Sequence, residues 1–394
     1  MTTSQERYGA AMMNTFGPPK RVFVKGLGTR LIDDQGREYL DLLGGLAVNA
    51  LGHAHPVLVA AVTEQLQTLG HISNFFASEP QIALGERLGR LATANSPGAR
   101  ALVFLTNSGT EANEVAFKVS RRTGRTRLIA MGGSFHGRTM GSLALTANPA
   151  YRQPFEPLPG DVTFVPFGDA DALAAALDET IAAVVIEPIQ GENGVVVPPP
   201  DFLARARELT TQAGALLWLD EVQTGIGRCG QWLAHLPTGV TADLVTVAKG
   251  LGGGIPIGAC IGVGEAATLL GPGSHGNTFG GNPPASAAAL AVLDYLESAD
   301  VLAHVLRAGE HLVAAIEGLG HPLISHVRGA GLLRGIVLNA DIAPALADVA
   351  LEAGFVVNAP RPGVIRLAPP LIITEEELDE FVAALPGLLA QASR

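Results

Sequence analysis

Cysteine is nearly absent from this sequence: Cys229 and Cys260 are the only two in 394 residues. Two are too few for a disulfide framework, so reduced thiols in a cytoplasmic protein are expected. Lysine is as scarce, with only Lys20, Lys25, Lys118 and Lys249. Lys and Arg together number 26 against 37 Asp and Glu, a formal net charge of −11. No basic stripe exists to displace counterions from phosphates, so nucleic acid is excluded as a general partner. No apolar run approaches the roughly 18–20 residues that span a bilayer. The opening MTTSQERYGAAMMNTFGPP lacks the cationic start and apolar stretch of a signal peptide. A membrane partner is therefore not expected either.

What remains is material for a large core. Hydrophobic residues make up 47% of the chain, which excludes disorder. The 48 glycines and 26 prolines stay below the share that marks low complexity. The length suggests two domains. Val22–Lys25, Thr29–Asp33 and Glu38–Leu42 read as short strands separated by turn chemistry. Pro56 suits a first helical position, and Val59, Val62, Leu66 and Leu69 recur at helical steps. From about residue 100, apolar runs at 101–106, 127–131, 162–166, 181–188, 215–222, 243–249 and 256–263 alternate with helical segments such as 111–122, 169–178 and 201–213. The runs are continuous rather than alternating in polarity, as strands buried on both faces should be. An α/β fold follows: a large domain with a mostly parallel, doubly wound sheet. After it, a helical stretch at 285–317, strand candidates at 324–328, 332–338, 354–357 and 364–368, and a last helix at 375–391 predict a smaller α+β domain. The expected division is 1–50 as an N-terminal segment joining the small domain, 51–283 as the large domain and 284–394 as the small one.

Ligands of such sheets bind beyond the carboxyl ends of the strands, and four signals lie there. Lys249 ends the run DLVTVAK and enters GLGGGIPIG. Apolar flanks would desolvate it, lower its pKa and free a nucleophilic amine; the bland alternative is a strand-end lysine snorkelling to solvent. Asp220 ends ALLWLD, where a carboxylate needs a cationic or hydrogen-bonding partner, unless it merely caps the next turn. Asn107–Glu114 opens a helix with small residues, a ready anion cup, or else a plain N-cap at Ser108. Phe135–His136 offers a stacking face and Arg138 a fork for a carboxylate, or ordinary packing beside a surface arginine. Together these are what a protein must supply to pyridoxal phosphate.

Two patterns compete. Gly225–Gly230 fits G-x-G-x-x-G after a strand and would suggest a nicotinamide-dependent oxidoreductase. Pro237 and Gly239 interrupt the helix that pattern requires, and no second-strand acidic residue is clear. His53 and His55 could suggest a metal, but no cysteine or carboxylate cluster accompanies them, so a loop before a helix is expected and no metal site. A non-catalytic regulator would need an added DNA-binding module, for which the chain has no room.

NSGTEANE (107–114), FHGRT (135–139), IEPIQGENG (186–194), LDEVQTGIGR (219–228), AKGLGGGIPIG (248–258), HGNTFGGNP (275–283) and VIRLAPPL (364–371) resemble the class III, or ω-amino-acid, aminotransferases, in family order from about residue 14 to 391. LLGGLAVNALGHAHP (42–56) and the FHGRT form look most like the members acting on N-acetylornithine in arginine biosynthesis. The resemblance implies a fold-type I pyridoxal-phosphate transferase working by a two-stage ping-pong reaction. It implies that Lys249 bonds the cofactor and shuttles the proton, and that Asp220 keeps the pyridine nitrogen protonated. Gln223 would contact the ring hydroxyl, Phe135 would stack on the ring, and Ser108, Gly109, Thr110 and Val222 would complete the cofactor cradle. Thr278 would join the phosphate from the partner subunit of a homodimer, with Asn277 touching substrate across the interface. Arg366 would grip the α-carboxylate of 2-oxoglutarate and be quenched by Glu192 when the ω-amine is bound, since an unpaired buried arginine is costly. Arg138 would hold the far carboxylate of either substrate. Phe16 stands where relatives often have tyrosine, and Gly45 where those acting on ornithine carry tyrosine. Ornithine, succinylornithine, 4-aminobutyrate and acylated lysine precursors remain alternative donors, because their enzymes share the cofactor residues.

Overall fold

A computed structural model describes residues 3–394; the first two residues of the expected N-terminal segment lie outside it. A seven-stranded sheet forms the centre. Its spatial order is Ala101–Thr106, Gly258–Val263, Leu244–Val247, Leu216–Asp220, Ile181–Ile186, Arg127–Met131 and Asp161–Val165. Gly258–Val263 runs antiparallel to both neighbours, with Gly258 opposite Thr106 and Ala259 opposite Val247. The five strands from Leu244–Val247 to Asp161–Val165 pair in parallel. The continuous apolar runs have the physical origin expected of them. In Leu216–Asp220, Trp218 turns into one buried cluster with Val115 and Leu244, while Leu217 and Leu219 turn into the other with Val245 and Val247. Both sheet faces are covered, so the strands are mostly apolar, and a buried exception such as Thr246 is hydrogen-bonded, accepting from Trp218 Nε1 at 3.3 Å.

Two four-stranded sheets flank the centre. One orders Phe23–Leu27, Arg30–Asp33, Glu38–Asp41 and Phe355–Val356; the other orders Ile324–Ala330, Leu333–Leu338, Val364–Leu367 and Asn358–Arg361. Several expectations are corrected. The helical stretch 285–317 is two helices, Pro283–Ser298 and Val301–Gly318, broken where Asp300 adopts a left-handed φ of 50°. The strand expected at 354–357 joins the N-terminal sheet, pairing in parallel with Glu38–Asp41. A strand at Asn358–Arg361 was not expected. The apolar stripe on Pro56–Thr68 faces outward in part: Val59 is 52% and Leu66 60% exposed, and Leu58 is the buried position. No helix among the described residues is long and apolar enough to cross a membrane.

The Gly225–Gly230 segment is a buttress, not a phosphate loop. A Cβ on Gly230 would lie 2.3 Å from Leu306 Cδ2, so that glycine permits close helix packing. Arg228, fully buried, donates through Nη1 to the carbonyls of Leu332 (3.1 Å) and Pro369 (2.6 Å). Gly331, at φ +52°, sits so close that a Cβ would meet the Arg228 carbonyl oxygen at 2.7 Å. Gly331→Ala is expected to destabilise the protein by about 1–3 kcal/mol, seen as a lowered thermal midpoint; an unchanged midpoint would mean the loop yields instead.

Candidate functional site

One cavity of about 430 Å³ lies beyond the carboxyl ends of the central strands. Lys249, Asp220, Ser108, Gly109, Thr110, Phe135, Arg138, Glu192, Val222 and Gln223 all line it. Lys249 follows the strand Leu244–Val247 and holds a left-handed φ of 46°. A non-glycine residue there costs on the order of 1–3 kcal/mol, and such strain collects at functional sites. Burial pushes its ammonium below the ordinary lysine value, against the pull of Glu192 and Asp220. Pro256 and Ile257 close the apolar side of the cavity.

Asp220, buried, is held at both oxygens. Oδ1 accepts from the Val222 amide (3.0 Å), and Oδ2 accepts from Asn113 Nδ2 (2.8 Å) and bonds to His136 Nδ1 (2.7 Å). Asn113 also donates to the His136 carbonyl at 2.7 Å, tying helix Gly109–Arg121 to the loop that carries Phe135. Burial alone would make His136 less basic; its bond to Asp220 outweighs this and leaves the imidazole more basic than usual. Its Nε2 has no partner. The adjoining turn is fixed by a second buried pair, Glu221 accepting from the His235 amide (2.9 Å) and contacting its Nδ1 (2.8 Å).

At the cavity's other end Ser108 caps the helix, accepting from the Glu111 amide at 3.3 Å. It therefore serves as N-cap and cavity wall at once. The first-turn amides of Gly109 and Thr110 have no intrahelical acceptor. A Cβ on Gly109 would approach Val222 Cγ1 to 2.6 Å, so glycine is what lets the helix start reach the Asp220 turn. Arg138 is exposed, with its guanidinium 3.5 Å from the centroid of the Tyr151 ring and 5.7 Å from that of Phe135.

Arg366, almost wholly buried, is not among the residues that line the cavity but bonds to two that are, Glu192 and Gln223. Nη1 donates to Glu192 Oε1 and to Gln223 Oε1 (3.2 Å), and Nη2 to Asn358 Oδ1 (2.8 Å). Burial would raise Glu192; the guanidinium beside it holds its carboxyl below the usual range. Gln223 thus faces both Arg366 and the cavity. Asn277 and Thr278 do not line this cavity: Asn277 Nδ2 donates to the Leu105 carbonyl at 3.1 Å, and Thr278 is exposed. Phe16 is 92% exposed and also lies outside the lining. His53 contacts Asp41 at 2.9 Å and His55 packs edge-on to Tyr295, so the histidine pair serves the loop.

Sequence reasoning passed over Glu187, Asn113, Tyr151 and Asn358. Glu187 had a legible signal, since it ends the apolar strand Ile181–Ile186 as Asp220 ends its own. It lines the cavity, and its one hydrogen bond is from the Phe135 amide (3.2 Å). Burial pushes its carboxyl up to about 8. The folded value exceeds the unfolded one, so the stability this group contributes is full below about pH 4.5 and is lost as pH rises towards 8. Glu187→Gln should therefore flatten the fall in thermal midpoint between pH 6 and 9; an unchanged slope would show that Glu187 is already charged at neutral pH.

The sequence matches the family described as "Aminotransferase class-III" over residues 12–389. It is 58% identical to an acetylornithine aminotransferase of Mycobacterium tuberculosis over 390 residues, covering 99% of this chain and 97% of the relative. It is 55% identical to one from Streptomyces coelicolor, covering 98% and 96%. Among solved structures, an N-acetylornithine aminotransferase from Stenotrophomonas maltophilia superposes with a TM-score of 0.83 at 38% identity, covering 97% and 99%. An ornithine aminotransferase from Toxoplasma gondii does so at 0.92 and 30%, covering 99% and 96%.

Proposed function

The chain belongs to the class-III aminotransferases, pyridoxal-phosphate enzymes of fold type I, and from that premise we propose that it transfers the δ-amine of N-acetylornithine to 2-oxoglutarate. The products are N-acetylglutamate semialdehyde and glutamate, a step of arginine biosynthesis in the cytoplasm. The observation that carries this reading is the meeting, in one cavity, of a desolvated lysine, a buried anchored aspartate and an open helix start.

The residues present fit pyridoxal phosphate. The unsatisfied amides of Gly109 and Thr110, with Ser108 beside them, suit its phosphate. Asp220, fixed by three bonds, suits a cationic ring nitrogen, while Phe135 and Val222 supply apolar faces and Gln223 an amide for the ring hydroxyl. When bound, the cofactor supplies an electron sink for the carbon that loses a proton. The protein does the rest. Lys249 Nζ, made less basic by burial, would anchor the cofactor and carry the proton to and from the reacting carbon. His136 and Asn113 hold Asp220 oriented. Pro256, Ile257 and Val48 keep water from the proton path.

Charge sorts the substrates. A terminal amine has no carboxylate beside its reacting carbon, so Glu192 pairs with Arg366 while the donor is bound. When 2-oxoglutarate enters, Glu192 withdraws and Arg366 takes the α-carboxylate. Arg138, stacked on Tyr151, keeps its fork for the far carboxylate of either substrate. A homodimer completes the site, Thr278 and Asn277 serving the partner's cavity. That assignment is supported by the apolar residues left open around them: Phe75 is 93%, Phe76 70% and Phe279 59% exposed. In this scheme the small domain brings Arg366 to Glu192 and Gln223 of the large domain, while the 283/284 division falls one residue inside the helix Pro283–Ser298.

Lys249→Ala should abolish transamination together with the visible absorption of the bound cofactor; substantial residual turnover would sink the assignment. Glu192→Ala should slow the N-acetylornithine half-reaction more than the 2-oxoglutarate half, and equal losses would refute the charge switch. The donor is tested by adding amines without keto acid: the visible band should fade with N-acetylornithine far more than with ornithine or 4-aminobutyrate at equal concentration.

A further inference from the structure

Arg366 has two kinds of partner, and they sit on different structures. Glu192 belongs to a turn after the strand Ile181–Ile186, and its side chain is 37% exposed, whereas that of Arg366 is 2% exposed. Asn358 stands directly opposite Arg366 in the antiparallel pair of Asn358–Arg361 with Val364–Leu367, so both side chains project from the same face of one sheet. The carboxylate is thus on a part-exposed turn and the amide on a paired strand. Gln223, the third partner, is also an amide.

The consequence is electrostatic. A guanidinium is donor-only, and a buried one needs acceptors at all times. If Glu192 were its sole acceptor, withdrawing it would strip Arg366 of both charge and hydrogen bonds. If the fixed acceptor were a carboxylate, withdrawing Glu192 would leave the guanidinium still neutralised and unable to attract a substrate. An amide avoids both: it accepts from Nη2 and holds the fork in plane while leaving the positive charge uncompensated.

We propose that Asn358 is the charge-neutral anchor of Arg366, a positioning residue that lets Glu192 alone switch the arginine between its amine-donor and keto-acid states. The proposal rests on the reading of Arg366 and Glu192 given above. It makes the neutrality of Asn358, not merely its hydrogen bond, the determinant of dicarboxylate recognition.

The test compares Asn358→Asp with Asn358→Ala in the holoenzyme. It uses calorimetric binding of glutarate, an unreactive dicarboxylate, alongside the two half-reactions measured separately. Asn358→Asp keeps shape and acceptor but adds a fixed anion, so glutarate affinity should fall roughly tenfold or more. KM for 2-oxoglutarate should rise in parallel, and the keto-acid half-reaction should lose more than the N-acetylornithine half. Asn358→Ala should lose roughly threefold in glutarate affinity. A sharper arm moves the charge: Glu192→Gln should impair the amine half, and adding Asn358→Asp should restore that half while abolishing the keto-acid half. Wild-type glutarate affinity in Asn358→Asp, losses in Asn358→Ala as large as in Asn358→Asp, or no restoration in the double variant would each overturn the proposal. Arg366→Gln separates the two levels. If it leaves glutarate binding intact, the reading of Arg366 itself falls; if it abolishes binding while Asn358→Asp does not, only the anchor falls.

Discussion

A carboxylate at the end of a strand covered on both faces needs hydrogen-bond partners from the protein, and Asp220 is the position where the fold meets that constraint. Its oxygens are satisfied from three directions: its own turn through the Val222 amide, the helix behind the sheet through Asn113, and the Phe135 loop through His136. Because Asn113 also bonds to the His136 carbonyl, the carboxylate cannot be satisfied unless helix, loop and strand end are mutually placed. Those are the elements that carry the open helix start at Gly109, the Phe135 ring and the aspartate. An unsatisfied buried acceptor costs on the order of 1–3 kcal/mol or more, so solvating this one group and assembling the cofactor cradle are the same structural event.

The central sheet was legible because burial on two faces leaves a compositional mark: runs such as IAAVVI and LLWL are apolar throughout. The strand-end residues were legible for the converse reason, since Lys249 and Asp220 are polar where the sequence should be apolar. Legibility failed where a position's meaning depends on a distant partner. Nothing local says that Phe355–Val356 pairs with Glu38–Asp41 rather than with its own neighbours. The alanine-rich stretch after residue 283 continues its helical pattern across Asp300, and only the backbone reveals the break. Val59 and Leu66 have helical spacing, but spacing does not say whether the covering surface is this chain or another. Asn358 carries no signal at all; its role exists only through the register that sets it opposite Arg366.

The glycine motif at 225–230 shows how one pattern can answer two physical needs. Close backbone approach is what glycine permits, whether to a pyrophosphate or to another helix. Here the approach is to Leu306 and to the Gly331 turn, and the buried Arg228 donates from Nη1 to two backbone carbonyls of the C-terminal part. Gln223 and Arg366 lie on the two sides of that junction and bond to each other. The buttress therefore sits at the same junction as the Gln223–Arg366 bond.

The reversed strand Gly258–Val263 has a bearing on how the protein comes into being. Ala101–Thr106, which leads into the Ser108–Thr110 helix start, touches the rest of the central sheet only through that strand. Synthesis proceeds from the N-terminus at about 5–20 residues per second, so the helix start emerges long before the strand that connects it to Lys249. A nascent chain ending near residue 250 already holds both halves of the cradle, yet lacks the wedge that aligns them. The parallel strands can condense early, leaving two open edges between which residues 258–263 must insert. A chain that lacks residues 258–263 therefore leaves Ala101–Thr106 unpaired with the sheet and exposes an apolar edge, the kind of surface on which other chains aggregate.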